Sequence, residues 1–466
     1  MEVYFNLFCV ILTITLYIFC THLTERTAIL LYMDIFYYTF GCKVNQYETE
    51  NIKERFMQKS HRTVTDHTQA DLCIINTCTV TSEADRKCRQ LVRKIRRDNP
   101  QCIIALAGCF VQAFKKQAEQ MTECDIIAGT ADKVRLPELV DSYITSGSRI
   151  ISITPHLPKQ PFDSMVNTTN DGKTRAYIKI QDGCDRYCSY CIIPYARGHI
   201  RSKPVEVIKK EVAELAASGH KEIILTGINL CFYGKDLEGG VSFADAVEAA
   251  CNTAGDFRVR LGSLEPEMMT DEDITRLGRL EKLCPHFHLS LQSGCDETLR
   301  RMNRHYTANE YAELCIKLRK AFPDCAITTD IMVGFPMERD EEFERSLKFA
   351  EDTAFAEAHI FPYSRRAGTV ADRLGGQVDK STKHARAAKM AEVCGRTKAD
   401  YLSSCVGRTL KVLFERETDA LWHTGHADNY VTVRVRRDDP EVSLWKTFRM
   451  VRITSSDGKV CYGELV

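Results

Sequence analysis

The stretch Tyr177-Ile-Lys-Ile-Gln-Asp-Gly-Cys184-Asp-Arg-Tyr-Cys188-Ser-Tyr-Cys191 carries a short apolar run through a glycine into three cysteines spaced Cys-x3-Cys-x2-Cys. The run reads as a strand, and a strand–helix alternation starts with it. Further strands are predicted near 222–225, 257–261, 286–291, 326–333 and 358–361, with helical periodicity between them. The first intervening helix has Pro204 near its start and Gly219 just past its end. Six successive βα units with short connections imply a parallel sheet curling into a partial or complete barrel. Chemistry in such a fold collects at the carboxyl ends of the strands. Unusual residues stand there: Gly183-Cys184, Thr226-Gly227, Ser263 with Glu265, Gln292-Ser293-Gly294, Gly334 and Tyr363.

Upstream, residues 33 to about 145 alternate short apolar runs with amphipathic stretches, which predicts a small parallel α/β domain with strands at 35–40, 72–76 and 103–107. A helix between the last two shows an apolar face of Ala84, Cys88, Leu91, Val92 and Ile95. Its other face is basic: Arg86, Lys87, Arg89, Arg93, Lys94, Arg96 and Arg97. A polar, proline-bearing stretch at 155–173 reads as a linker. Downstream of a charged helical stretch at 382–401, short β-prone runs at 409–414, 430–435, 448–453 and 460–465 predict a small β-barrel. The expected domains are 33–150, 170–400 and 401–466, giving an α/β chain with a partial (β/α)6 barrel between an N-terminal α/β domain and a C-terminal β-barrel.

The uncharged run at 3–20 is long enough for a marginal membrane span. Only Glu2 precedes it, no small-residue cleavage site follows, and Met33 stands directly before the first domain strand. Residues 1–32 are therefore expected to be an upstream extension from an over-called start codon, with a signal anchor as the alternative; no stable membrane association and a cytoplasmic location are expected.

The 466 residues carry 63 basic and 63 acidic side chains, so polyanion binding has to come from local clusters. The chain is 44% hydrophobic and can build its own core, so its 21 cysteines are not needed as a disulfide framework. Their odd number also forbids complete pairing within one chain. Core thiols and metal or cluster ligands in a reducing compartment are the expected uses.

Three thiolates at Cys184, Cys188 and Cys191 suit a four-iron cluster whose fourth iron stays open. The alternatives are incidental thiols or a zinc knuckle, for which His199 is the candidate fourth ligand. In the N-terminal domain Cys42, Cys78 and Cys109 each follow a predicted strand and fall on one rim of a parallel sheet. Cys73 lies inside a strand, Cys88 on the apolar helix face and Cys102 at the opposite strand end, so these are expected to be buried small hydrophobes. Cys124 stays open as an alternative ligand, and the cysteines from Cys231 to Cys461 are read as structural.

The cysteine motif resembles that of the radical S-adenosylmethionine superfamily. With its surroundings, Asp182-Gly183-Cys184 through Ile192-Ile193-Pro194-Tyr195-Ala196-Arg197-Gly198, it is similar more narrowly to the methylthiotransferase family. That family carries an N-terminal cluster domain, a radical core and a small TRAM β-barrel, and the similarity runs from about residue 36 to the C-terminus. The resemblance implies two [4Fe-4S] clusters and S-adenosylmethionine, which is cleaved at the radical cluster to methionine and a 5′-deoxyadenosyl radical. It makes Gly41-Cys42-Lys43-Val44-Asn45-Gln46, Asn76-Thr77-Cys78 and Gly108-Cys109 the three motifs of the sulfur-donating cluster. An electron donor of the flavodoxin or ferredoxin type and a sulfur source are implied as partners.

Around the radical cluster, Thr226, Gly227, Ser263, Glu265, Gln292 and Ser293 sit at strand ends where they could serve the cosubstrate, and Tyr190 could pack on its adenine. No acid–base pair is needed, because hydrogen abstraction falls to the radical. The sequences Gly41-Cys42-Lys43-Val44-Asn45-Gln46-Tyr47-Glu48 and Tyr187-Cys188-Ser189-Tyr190-Cys191 look most like the branch that methylthiolates carbon 2 of threonylcarbamoyladenosine beside the tRNA anticodon. The other branches act on isopentenyl-adenosine in tRNA or on a ribosomal-protein aspartate, and a non-enzymatic zinc or cluster RNA-binding module is the distant rival. RNA contacts are expected from Arg86, Lys87, Arg89, Arg93 and Lys94, with Arg197, His199, Arg201 and Lys203 beyond the radical motif; a solvated helix face is the bland alternative for the first group. The tail has ten basic and nine acidic residues from 402 onward, and its charged 438–446 stretch lacks the glycine expected of the TRAM pattern.

Overall fold

The computed structural model describes residues 32–163, 165–167, 172–417, 421–439 and 441–466. The apolar run at 3–20, and all of the expected extension except Tyr32, lie outside them. Apart from 80–82, the described residues through Pro155 form one compact unit, and His156–Val466 form another.

In the first unit β1 (Asp34–Thr39), β2 (Arg62–Val64), β3 (Leu72–Thr77), β4 (Ile103–Gly108), β5 (Ile126–Ala128) and β6 (Ile150–Ser152) make one sheet. The order is β2-β1-β3-β4-β5-β6, and every pairing is parallel. All six residues of β3 are buried, as a central strand covered on both faces requires. Strands β2, β5 and β6 are absent from the sequence expectation because three residues are too few to show a hydrophobic period. Helix Ser82–Asp98 buries Cys88, Val92 and Ile95 as its spacing predicts.

The second unit begins with β7 (Arg175–Lys179) and a two-residue ladder between β8 (Gln181–Asp182) and β9 (Arg201–Ser202). The parallel strands β10 (Glu222–Thr226), β11 (Arg258–Leu261), β12 (Ser263–Leu264), β13 (His286–Gln292), β14 (Ala326–Val333) and β15 (Glu357–Pro362) follow, alternating with helices. They form two sheets, β11-β10-β7 and β12-β13-β14-β15. A Val259–Leu283 bridge and the near-continuity of β11 with β12 join these into one curved wall, with β7 and β15 at its edges. This is the expected six-unit partial barrel. Period-2 alternation sets its faces. On β13, Phe287, Leu289 and Leu291 enter the main apolar core, so His286, His288 and Ser290 take the concave side. Helices behind the wall start on capping boxes at Ser242/Asp245, Thr270/Asp273 and Thr307/Glu310.

The tail closes into a barrel of β16 (Thr409–Glu417), β17 (Trp422–Ala427), β18 (Thr432–Arg436), β19 (Thr447–Ser456) and β20 (Cys461–Leu465), in the order β16-β17-β18-β20-β19. Strand β17 escapes the sequence reading because WHTGHA has no run of large apolar residues. Its Gly425 is needed: a Cβ there would stand 2.4 Å from the carbonyl oxygen of Leu413. The β-barrel is held to the amino ends of the core strands by buried charge. Glu222, fully buried, receives Arg258 at 2.6 Å, Arg260 at 2.9 Å and Arg175 at 2.9 Å. Arg258 reaches on to Asp428 at 2.6 Å, and Arg260 donates to the Asp428 carbonyl at 2.9 Å.

Candidate functional site

The turn into the three-cysteine loop is fixed by Gly183, whose φ is 71°. A Cβ on it would lie 1.8 Å from the His199 carbonyl oxygen, so no other residue fits without moving the backbone. The next residue, Cys184, donates its N–H to the Gly198 carbonyl at 3.0 Å. On the far side Ser189 is pinned three ways: its N–H to Met302 O at 2.9 Å, its hydroxyl to Arg301 O at 2.7 Å, and its carbonyl to the Ala371 N–H at 2.7 Å. Cys191 N–H closes the loop onto Cys188 O at 2.9 Å.

Beneath the loop lies Asp182, 4% exposed. It accepts from Arg197 at 3.1 Å, Lys179 at 3.2 Å and Arg201 at 3.4 Å. Burial alone would raise its carboxyl, but these cations together hold it well below the usual carboxylate range. One sequence expectation is corrected here. Arg197, proposed as an RNA contact, is 1% exposed and its charge is committed to Asp182; Arg201 and Lys203 are buried as well, the latter against Glu211. His199 is exposed, and its Nδ1 lies 2.6 Å from Asp185.

A guanidinium that strand-end reasoning misses completes the surroundings. Arg304 directs one N–H at the sulfur of Cys188 at 3.3 Å, another at the Ser290 carbonyl at 3.0 Å, and pairs with Glu265. Its Nε donates to the Tyr306 hydroxyl at 3.1 Å, which donates in turn to Leu291 O at 2.6 Å. Arg304 follows the short helix Asp296–Arg301, and nothing in its sequence context marks it. Of the expected cosubstrate residues, Glu265, Thr226, Gln292 and Ser293 are buried, while Ser263 is exposed. Burial raises the Glu265 carboxyl against the opposing pull of Arg304. Gln292 has φ 66° beside a register shift in β13. Gly227 packs on Gln181, whose Oε1 accepts from the N–H groups of Ile228 and Asn229 at 2.9 and 2.8 Å. Tyr190 packs edge-on against Phe335, ring centroids 6.4 Å apart, beside Met302, Tyr363 and Ala371.

The donor set fits an iron–sulfur cluster. Burial pushes the Cys184 thiol up to about 11 and Cys191 higher still, so charge-balancing iron is what would favour the thiolates. Three cysteines on one loop suit a cluster that leaves one iron open.

In the first unit the loops after β1, β3 and β4 are laced together. Cys42 caps the helix Lys43–Gln58 and Cys109 opens the helix Cys109–Ala113. Asn45 donates to Phe40 O at 2.8 Å and Thr77 O at 3.0 Å, Asn76 donates to Asn45 O at 3.0 Å, and the Phe110 N–H reaches Thr77 Oγ1 at 3.2 Å. Gly41, φ 96°, lies so close to Cys78 that a Cβ would stand 2.6 Å from its sulfur. Cys42, Cys78 and Cys109 thus occupy one rim. Cys124 precedes β5, as Cys102 precedes β4, on the opposite rim and in the apolar core with Cys73 and Cys88. On helix Ser82–Asp98, Arg86 and Lys87 are exposed near Glu83 at 2.5 and 3.9 Å, and Arg93 is exposed near Glu123 at 3.3 Å. Lys94 is exposed, and Arg89 lies 5.9 Å over the Phe110 ring. Arg96 is turned inward to Asp125.

Residues 178–350 match the Radical SAM superfamily, and residues 34–129 match the family described as Uncharacterized protein family UPF0004. A threonylcarbamoyladenosine tRNA methylthiotransferase of Bacillus subtilis is 36% identical over 85% of this chain and 89% of its own. Its namesake from Thermotoga maritima is 40% identical over 81% and 85%. A tRNA-2-methylthio-N(6)-dimethylallyladenosine synthase of Natranaerobius thermophilus is 37% identical over 76% and 80%. The radical S-adenosylmethionine methyltransferase TsrM of Kitasatospora setae shares the fold at 13% identity, with a TM-score of 0.54 over 70% of this chain and 72% of that one. Three cysteines on a pinned loop at the head of a six-unit partial barrel, a second set on the rim of a parallel sheet, and relatives matched along most of their length lead to one conclusion: the chain belongs to the radical S-adenosylmethionine methylthiotransferase family.

Proposed function

We propose that this enzyme inserts a methylthio group at carbon 2 of N6-threonylcarbamoyladenosine next to the tRNA anticodon. Relatives of that name at 36% and 40% identity, spanning more than four fifths of both chains, carry the reading. In this proposal Cys184, Cys188 and Cys191 hold a [4Fe-4S] cluster that, when bound, supplies one-electron reduction of S-adenosylmethionine. Cys42, Cys78 and Cys109 hold the second cluster, the source of sulfur. The protein's own part is placement. Ser189 and Gly183 fix the cysteine loop, Arg304 offers hydrogen bonds beside Cys188, and Glu265, Thr226, Gln292 and Ser293 line the strand ends where the cosubstrate would lie. Exposed Arg86, Lys87 and Lys94 would hold tRNA phosphates. A ferredoxin- or flavodoxin-type reductant and a sulfur source complete the cycle.

The isopentenyl-adenosine reading has its own support in the 37% relative. Anaerobically reconstituted enzyme given S-adenosylmethionine, reductant and tRNA of each kind separates the two. Nucleoside mass spectrometry should show methylthiolated threonylcarbamoyladenosine. Product from isopentenyl-adenosine alone would reject the proposal.

A further inference from the structure

The concave wall of the partial barrel carries polar groups that the cysteine loop does not use. His288 is held in place from both ring nitrogens, Nδ1 to Thr328 Oγ1 at 3.0 Å and Nε2 to Asp330 Oδ2 at 3.3 Å. His359 stands directly across from Asp330 in the β14–β15 register and its ring lies 5.9 Å from that of His288. Among the described residues, Oδ1 of Asp330 and both ring nitrogens of His359 have no hydrogen-bonding partner. His359 is exposed, and Asp330 and His288 keep side-chain exposures of 26% and 14%, so the cluster faces open space. Phe361, 37% exposed, adjoins His359 on the same face and offers an aromatic surface on which a base can stack.

This wall begins at the cysteine loop. The carbonyl of Ser290 receives Arg304, which also reaches Cys188, and His288 is one pleat back along the strand from Ser290, about 7 Å away. Carbon 2 and N6 flank N1 on one edge of adenine. A base presenting carbon 2 to the cysteine loop therefore carries its N6 substituent toward the neighbouring residues of the wall.

Resting on the substrate proposed above, we infer that Asp330 and His359, with His288 as their support, are specificity-determining residues that read a polar N6 substituent on the target adenine. A threonylcarbamoyl group brings urea N–H donors for Asp330 and a hydroxyl and carboxylate as acceptors for a His359 N–H. An isopentenyl chain brings neither, and would strip water from these groups without replacing its hydrogen bonds. Sites built to hydrogen-bond a substrate reject analogues lacking the partner far more strongly than apolar pockets reject an extra group.

The test is a ratio of kcat/KM values for tRNA carrying threonylcarbamoyladenosine against tRNA carrying isopentenyl-adenosine, each measured on one preparation of reconstituted enzyme, so that partial misfolding cancels. His359→Leu and Asp330→Leu should lower that ratio about 10- to 100-fold, and His359→Gln, which keeps a donor, should restore part of it. An unchanged ratio in both leucine variants, at whatever absolute rate, overturns the assignment while leaving the proposed substrate standing. Wild-type enzyme that prefers isopentenyl-adenosine rejects the substrate reading itself, and this inference with it.

Discussion

The guanidinium of Arg304 stands 3.3 Å from the sulfur of Cys188, and the same side chain is fixed by Ser290 and Glu265. Hydrogen bonds to cluster sulfur stabilise the extra negative charge of the reduced state and so raise the reduction potential. Arg304→Lys keeps the charge but loses the planar fork. The expected result is a fall of about 10- to 100-fold in 5′-deoxyadenosine release, the range typical of partners behind metal ligands, with a lower midpoint potential in an EPR-monitored titration. Wild-type potential and rate would remove Arg304 from this role.

Gly41 abuts Cys78, and its φ of 96° suits glycine alone. Gly41→Ala should disturb the first-unit rim without touching the loop at Cys184. Iron content should drop by about half, with 5′-deoxyadenosine formation kept and methylthiolated product lost. Retention of full iron and full product would show that the close approach of Gly41 to Cys78 is not needed to form the site on this rim.

Glu222 is the shared anion of Arg175, Arg258 and Arg260. Burial would raise its carboxyl, yet the three arginines hold it well below the usual range. Its contribution to stability is therefore complete above the unfolded glutamate value near 4.3 and is lost as pH falls through the depressed folded value. Glu222→Gln strands buried arginines and should cost about 3–5 kcal/mol in urea unfolding at pH 7. The gap between wild type and variant should persist to about pH 5 and narrow below about pH 4. A gap that is absent at neutral pH would contradict the network's structural weight.

The basic helix face is tested by salt. Replacing Arg86, Lys87 and Lys94 with glutamine should weaken tRNA binding and flatten the log–log dependence of affinity on salt by roughly 1 for each phosphate no longer neutralised. An unaltered slope would mark the face as merely solvated.

The strands of the second unit were legible because alternation in segments such as Phe287, Leu289 and Leu291 survives in a wall packed on one side by helices. The cysteine sets were legible because loops leaving the same ends of parallel strands share a rim. Two kinds of feature were not. Arg304 comes from the end of a short helix, and only the fold brings it to Cys188. Arg197 shows the converse. A cation in a glycine-bearing loop reads as solvent-facing, yet Asp182, fifteen residues earlier in the chain, draws it inside. Partnership between charges is a property of folded neighbours, and one sequence does not print it.

The arginine contacts from Arg258 and Arg260 to Asp428, and from Arg175 to Glu415, place the β-barrel at the amino ends of β7, β10 and β11, whereas the cysteine loop leaves the carboxyl end of β7. Four residue steps along β10 separate those levels, about 13 Å. The enzyme thus contains a built-in ruler. Any substrate that touched both the β-barrel and the cysteine loop would have to span at least that distance along the flank of the core.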